Sequence, residues 1–368
     1  MALSRAHRPI VVFVDLGTML SFEQLASVLR SRGVEVAHLT VASNPLARLA
    51  SRALFHSTSF FATQEELLAA LRRLDVSRVV DIQCPEFLLD DVVHAAREAG
   101  VPRAVLTELE LRFAWRDKFA VARSLQQAGL AAPRVRDLED CRREDLLTDF
   151  GLPLVIKDRV GSGGEGVRIV RRAEELGEAV EALGGEKAHL YAEEFLPGAT
   201  MCYATAIVHG RPVQGVVYHT LQGREAEGPS SLIEVVRDNQ VLAIGQRVAE
   251  LVGGSGLLNL DLVRDEHGDP RVVDVNLRSW HSVVALGQLG FDYPQAYLQG
   301  LDLGRAEHGV VTSIGLVHVF PDHEETGEGC SEGLRRFLDG LWRHRRILPV
   351  RYLALQVLLF ARRSTGRG

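Results

Sequence analysis

Gly256 to Arg278 reads GLLNLDLVRDEHGDPRVVDVNLR, two apolar runs around a polar Gly/Pro turn, and the pattern predicts an antiparallel β-hairpin. With the turn centred on His267 and Gly268, counting back along both arms sets Asp261 opposite Asp274. Period-two alternation puts Asn276 and Arg278 on the face that carries Asp274, and leaves Val273, Val275 and Leu277 as an apolar opposite face. Like charges directly across a strand pair are destabilising, so two aspartates kept there beside an asparagine imply a cation. Hard oxygen ligands of this kind suit Mg²⁺. A solvent-facing hairpin could carry the same charges for solubility alone. Here Trp280 and the apolar run Val283 to Leu289 follow at once, which points to a strand pair inside a domain, where a charged inner face needs a ligand.

At 368 residues the chain is long for one compact domain and suits two or three, with ample apolar content for real cores. A net charge of -6, with Lys and Arg read as scattered along the chain, gives no reason to expect nucleic acid as a partner. Cys84, Cys141, Cys202 and Cys330 lie far apart, without the close pairing of zinc or redox motifs, and read as buried reduced thiols. Arg5, His7 and Arg8 precede a short apolar run, Ile10 to Val14, that stops at Asp15; this is a first strand and not a signal peptide, so a cytoplasmic protein is expected. Ile347 to Ala361 is strongly apolar, carries Arg351 and precedes Arg362 and Arg363. It is too short for a membrane span and is read as a packed terminal helix in preference to a membrane-surface helix.

Along the first hundred residues, strand-like runs alternate with helical periods: Ile10 to Val14, a helix around Phe22 to Arg32, Val34 to Leu39, a helix around Gln64 to Leu74, Val79 to Ile82, and a helix Leu88 to Ala99. The series ends at a short strand expected over Ala104 to Leu106 and predicts a parallel sheet flanked by helices. No glycine-rich phosphate fingerprint follows the first strand, where the sequence is DLGTMLSF.

A second unit begins near Phe113 with a helix carrying Asp117 and Lys118 and stopping at Gly129. Next comes LPLVIKDRVGSGGEGVRIVRR. A phosphate loop of the strand-to-helix type must open a helix, but Val167 to Val170 is β-branched and apolar, so the loop Gly161 to Gly166 joins two strands. Backbone N–H groups in such a flap could close over phosphates while Lys157 supplies a point charge; an ordinary mobile hairpin is the alternative. A helix from about Glu174 to Leu183, the short strand in HLYAEEFLPG, a strand pair Ala204 to His209 and Pro212 to Tyr218, a loop Gly223 to Ser231 and a helix Asn239 to Leu251 lead to the acidic hairpin. Val310 to Phe320 reads as one more strand before a mainly helical tail.

The ordered set of Asp117-Lys118, Lys157 with GSGGEG, the EEFLPG strand end, and Asp261 with DVNLR resembles the ATP-grasp superfamily over roughly residues 113 to 304. The resemblance implies an α/β and α+β protein: an N-terminal parallel α/β domain (1–112), an ATP-grasp domain (113–304) of two α+β subdomains clasping ATP with a nucleotide lid at about 133–196, and a C-terminal strand and helical tail (305–368). It implies that a carboxylate is activated as an acylphosphate and captured by an amine, releasing ADP and phosphate, with ATP and Mg²⁺ (or Mn²⁺) as cofactors. Residue by residue, Lys118 and Lys157 would contact phosphates and Gly161, Ser162, Gly163, Gly164 and Gly166 would form the flap. Glu193, Glu194, Phe195 and Leu196 would read adenine, Asp261, Asp274 and Asn276 would hold metal, and Arg278, with Lys157, would act in catalysis.

The sequence departs from the family's pattern in places. Asp274 stands where a longer glutamate is usual, Thr200 where many members have a ribose-binding glutamate, and Leu277 and Asp158 where proline is frequent. The reading is a carboxylate-amine ligase of small-molecule substrates. The alternatives are a phosphotransferase or carboxylase with another acceptor, and a nucleotide-binding regulatory module without turnover. A homodimer is the default assembly. His281, Trp280, Arg224 and Glu225 are candidates for substrate contact, each weighed against plain packing or solvation. Cys202 is read as core, and no Ser/His/Asp or Cys/His arrangement stands out.

Overall fold

The computed structural model describes residues 8–17, 20–41, 45–161, 164, 166–185, 189–223, 230–304 and 313–319, together with positions 338, 342, 344, 345, 347–350, 352–354 and 357. The chain opens with β1 (Ile10–Asp15), α1 (Leu20–Ser31), β2 (Glu35–Thr40), α2 (Pro45–Leu54), β3 (Ser57–Phe60), α3 (Gln64–Arg72), β4 (Val79–Gln83), α4 (Leu89–Ala99) and α5 (Arg103–Ala114). Its four strands pair in parallel in the order β3-β2-β1-β4. Every residue of β1 is buried, as expected of a central parallel strand covered on both faces.

The strand expected over Ala104 to Leu106 is instead the first turn of α5, which follows Pro102. Three apolar residues do not decide between strand and helix; the buried Val105, Leu109 and Arg112, four and three apart, form the helical stripe that does. The sequence reading also passed over α2 and β3, the latter a short polar STSF run that pairs only along β2.

The second half comprises α6 (Lys118–Gln127), β5 (Val135–Asp137), α7 (Arg143–Phe150), β6 (Leu154–Asp158), β7 (Val167–Val170), α8 (Glu175–Ala182), β8 (Leu190–Glu194), β9 (Thr200–Val208), β10 (Arg211–Gly223), β11 (Ser230–Val236), α9 (Asn239–Val252), β12 (Gly256–Arg264), β13 (Pro270–Asn276), α10 (Tyr293–Gly300) and β14 (Gly315–His318). A small antiparallel sheet, β5-β8-β6-β7, packs Leu154, Ile156 and Ala192 against Leu146, Leu176 and Val180 of α7 and α8. A larger antiparallel sheet, β13-β12-β9-β10-β11-β14, is covered on one face by α6 and α9. Its other face shares a core with α10, α1 and the tail residues Leu348 and Tyr352. In α9, Gly245 lies flat on the Tyr203 ring: a Cβ there would fall 2.2 Å from a ring carbon, so this approach needs glycine. Residues 224–229 of the expected loop, and 310–312 and 320 of the expected late strand, lie outside the described residues. Ser230 and Ser231 open β11, a strand the sequence reading passed over.

Two buried polar clusters lock the N-terminal sheet. At the carboxyl ends of β1 and β2, Thr40 Oγ1 donates to Asp15 Oδ1 at 2.6 Å, Gly17 N donates to the same oxygen at 2.9 Å, and His38 Nδ1 lies 2.6 Å from Ser51 Oγ. Asp15, His38 and Ser51 thus sit in one chain of contacts that the sequence did not reveal. Ser51 is buried within α2, so the arrangement is a structural tie. At β4, Asp81 pairs with Arg112 of α5 and accepts from Tyr297 of α10, while Gln83 Nε2 donates to Asp81 Oδ2 at 2.6 Å. This second cluster joins the parallel sheet to the element that follows the acidic hairpin. Asp81→Ala leaves the buried Arg112 guanidinium without its carboxylate. It is expected to lower unfolding stability by about 3–5 kcal/mol in chemical denaturation, whereas a loss below about 1 kcal/mol would show that the cluster does not join the two halves.

Candidate functional site

The acidic hairpin forms as β12 and β13, and Asp261 stands directly opposite Asp274, with Asn259 opposite Asn276. The turn is not centred where the sequence reading set it. Near the turn the register is Leu262 with Val272 and Val263 with Arg271, one position short of the register at the aspartates; a bulge between Asp261 and Leu262 restores it. The bulge corrects the apolar face too: Val272 takes the buried place assigned to Val273, with Val275 beside it. Asp265 shapes the turn, accepting from His267 N and Asp269 N, each at 2.9 Å.

Cations converge on this pair from three elements. Lys118 is the first residue of α6, fixed by the Asp117 cap, which accepts from Ala120 N at 3.0 Å, and by its own N–H donating to Arg159 O at 2.9 Å. Its Nζ reaches Asp274 Oδ1 at 2.5 Å. Burial works against ionised Asp274, but Lys118, helped by Lys157 and Arg278, holds that carboxyl below its ordinary value. Burial also favours a neutral Lys118, and Asp274 outweighs it, so the amine stays above its usual value. For Asp261 the balance reverses: burial and the facing Asp274 push it up. Both donors to Asp261, Cys202 Sγ at 3.2 Å and Asn259 Nδ2 at 3.3 Å, use Oδ1; among the described residues no donor reaches Oδ2.

Lys157, on β6, reaches Glu193 Oε1 of β8 at 2.6 Å within a buried pair. Glu193 is therefore the lysine's partner, its carboxyl raised by burial against that attraction. Glu194 turns the other way, accepting from Arg134 N at 3.1 Å. Phe195 and Leu196 follow as half-buried residues. The glycine loop joins two antiparallel strands, with Lys157 opposite Val167 and Asp158 N donating to Gly166 O at 2.9 Å. Gly164 takes the left-handed conformation, and Gly161 has open space around its Cβ position. Ser162 and Gly163 lie outside the described residues.

Arg278, just beyond β13, donates to Asn276 Oδ1 from Nη2 at 3.3 Å and pairs through Nε with Glu86 at 2.8 Å. Glu86 belongs to the parallel sheet's side, three residues past β4, and the sequence reading missed it. No local pattern marks it. Its place follows from topology, since the carboxyl ends of β1 and β4 flank the point where strand order reverses, the usual ligand edge of such sheets. Asn259, whose Oδ1 accepts from Tyr218 OH at 2.7 Å, was also missed, although it lies two residues before Asp261 on the same face. Trp280 is core, edge-on to Tyr293 at 5.2 Å. Among the described residues no three His, Cys, Asp or Glu cluster to hold a metal, so the candidate set is two carboxylates with an amide oxygen.

A small antiparallel sheet with a glycine flap, a larger one presenting paired carboxylates, and lysines between them are the parts that the resemblance to the ATP-grasp superfamily implies. Residues 115–280 match the family model of the ATP-grasp domain, and the chain carries such a domain. It is 27% identical over 171 residues to a probable alpha-L-glutamate ligase of Maridesulfovibrio salexigens, covering 44% of this chain and 55% of that protein. To a D-alanine–D-alanine ligase of Laribacter hongkongensis it is 26% identical over 264 residues, covering 66% and 83%. The match therefore spans about half the length of the first relative and more of the second. In fold it resembles carboxyaminoimidazole ribonucleotide synthase of Aspergillus clavatus complexed with ATP, with TM-score 0.66, 16% identity, and 93% and 99% of the two chains covered.

The Lys118–Asp274 pair fixes a pH window. Asp274's depressed pKa contributes stability above its unfolded value of 3.8, lost as pH falls through the folded value; Lys118's raised pKa contributes below 10.5, lost as pH rises through its folded value. Lys118→Met is expected to cost about 1–3 kcal/mol at neutral pH, the gap closing in thermal melts taken below and above that window. A gap independent of pH would refute the pairing.

Proposed function

We propose that this chain is a magnesium- and ATP-dependent carboxylate-amine ligase acting on small molecules in the cytoplasm. The observation that carries the reading is the register setting Asp261 against Asp274, with Lys118 on one carboxylate and Arg278 at the end of the same strand. The names of the two relatives, ligases of glutamate and of D-alanine, and the ATP-complexed neighbour support it. The domains follow as 1–112, 113–304 with a lid at about 133–196, and 305–368. No helix among the described residues is long and apolar enough to cross a membrane.

The donor set fits a hard divalent cation, because Asp261 keeps Oδ2 without a donor among the described residues and Asn276 stands beside Asp274, to whose Oδ2 its Nδ2 donates at 3.4 Å, so that its amide oxygen, which accepts from Arg278, would face the ion once Arg278 turns to phosphate. Asp261, Asp274 and Asn276 would hold Mg²⁺, or Mn²⁺ in its place, which when bound neutralises charge between the phosphates. Lys118 and Lys157 bind phosphate oxygens, the Gly161, Ser162, Gly163, Gly164 and Gly166 backbone closes over them, and Glu193 to Leu196 border the adenine. A substrate carboxylate oxygen takes the γ-phosphoryl group and ADP leaves. The amine then attacks the acyl carbon, its nitrogen loses a proton, and phosphate departs. Arg278 steadies the phosphoryl group and the oxyanion that forms. Two copies acting as a homodimer complete the reading.

The test is ADP release from ATP and Mg²⁺ against a panel of carboxylates with and without amines, and with hydroxylamine as the acceptor. The expected result is a carboxylate-dependent hydroxamate and a kcat lowered about 10²–10³-fold by Arg278→Met, with larger loss in Asp274→Ala. ADP formation undiminished in Asp274→Ala, or turnover without hydroxamate, would remove the acylphosphate route.

A further inference from the structure

The charge of this chain is not spread evenly. Residues 332–368 hold nine arginines against Glu332 and Asp339, a charge of +7, while the whole chain carries -6, which leaves -13 on residues 1–331. This corrects the reading of Lys and Arg as scattered. Within the tail, His344, Leu348, Tyr352 and Leu353 are buried, and His344 Nε2 lies 3.2 Å from Gln288 Nε2. Leu348 N donates to His344 O at 2.8 Å. These described residues are therefore seated on the body and form an inner face.

Among the described residues of the tail, an outer face is apolar and open. Leu338, Trp342 and Val350 are 53%, 66% and 78% exposed, and Val357 is exposed as well. Leu338 and Trp342 are four residues apart and Val350 and Val357 seven, the spacings that place each pair on one stripe of a helix. The Arg345 guanidinium lies 3.4 Å over the Trp342 ring.

We propose that this outer face docks the enzyme on an anionic lipid surface. An exposed tryptophan and leucine flanked in sequence by arginines, with Arg345 beside the ring, are what the boundary between headgroups and acyl chains accepts, the apolar groups entering and cations meeting phosphates. Charge decides against the other occupant, a second copy of the chain. A two-fold contact places the same patch against itself and would bring two tails of +7 together.

The test is co-sedimentation of the full chain with vesicles of phosphatidylcholine alone and with vesicles containing phosphatidylglycerol. Binding is expected only to the anionic vesicles, falling about tenfold or more when salt is raised through the screening range. Leu338→Ser with Trp342→Ser should lower it by about tenfold with an unchanged thermal melt, and Arg345→Glu should lower it separately. Absence of binding to either vesicle, binding unchanged in both variants, or light scattering showing a dimer that the double variant splits would overturn the proposal. Because the readout is sedimentation, it stands apart from ADP release, and either reading can fail alone.

Discussion

Two carboxylates set face to face across an antiparallel pair are the constraint around which the structure is organised. Asp261 and Asp274 repel, and each is half-buried, so water screens the repulsion only in part and an unaided hairpin with this register would be unfavourable. Lys118 comes from the helix that crosses beneath the large sheet, Lys157 from the small sheet, and Arg278 from the strand end, itself anchored by Glu86 beyond β4. Each region thus supplies one charge to a centre that none holds alone. The Asp81–Arg112–Tyr297 cluster ties β4, which ends three residues before Glu86, to α5 and α10.

The hairpin was legible because its register rests on alternation, which survives small errors in placing the turn. Sequence counting centres the turn half a position too far along, one place in the partner register, and the bulge absorbs that shift before the aspartates, so their pairing is right while Val272 and Val273 are exchanged. A bulge leaves no mark in a run of valines, because either residue can fill the apolar face. Lys157 and the β6–β7 loop were legible for a different reason: β-branched residues after the glycines exclude a helix there.

What stayed hidden depends on contacts far apart in sequence. Glu86 and Arg278 are 192 residues apart, and nothing near either one announces the other. Glu193 was read with the strand end that borders a base, because EEFLPG is a local pattern. Only the pairing of β6 with β8 turns its carboxylate toward Lys157. Alternation along β8 explains the split of the two glutamates: neighbours in a strand point to opposite faces, so one acid enters the core and the next meets Arg134. The helix α5 was missed because AVL is equally good strand, and the deciding residues, Leu109 and Arg112, lie beyond the run that was read.

Charge balance at the centre explains why the cations arrive already partnered. Asp261, Asp274, Glu193 and Glu86 carry up to four negative charges against three positive ones on Lys118, Lys157 and Arg278. A free lysine or arginine buried to this depth would lose its charge or draw water in, whereas a pair keeps the cation ionised and oriented before any ligand arrives. The same pairing means that a phosphate group entering here must exchange for Glu193 or Glu86 at a cation, or share it, and so adds negative charge to a set that is not positive. A divalent ion on Asp261 and Asp274 removes that obstacle, since it converts the repelling pair into ligands and leaves the lysines and Arg278 for the phosphates. The unfavourable register of the hairpin and the proposed chemistry are therefore one fact about the same two side chains.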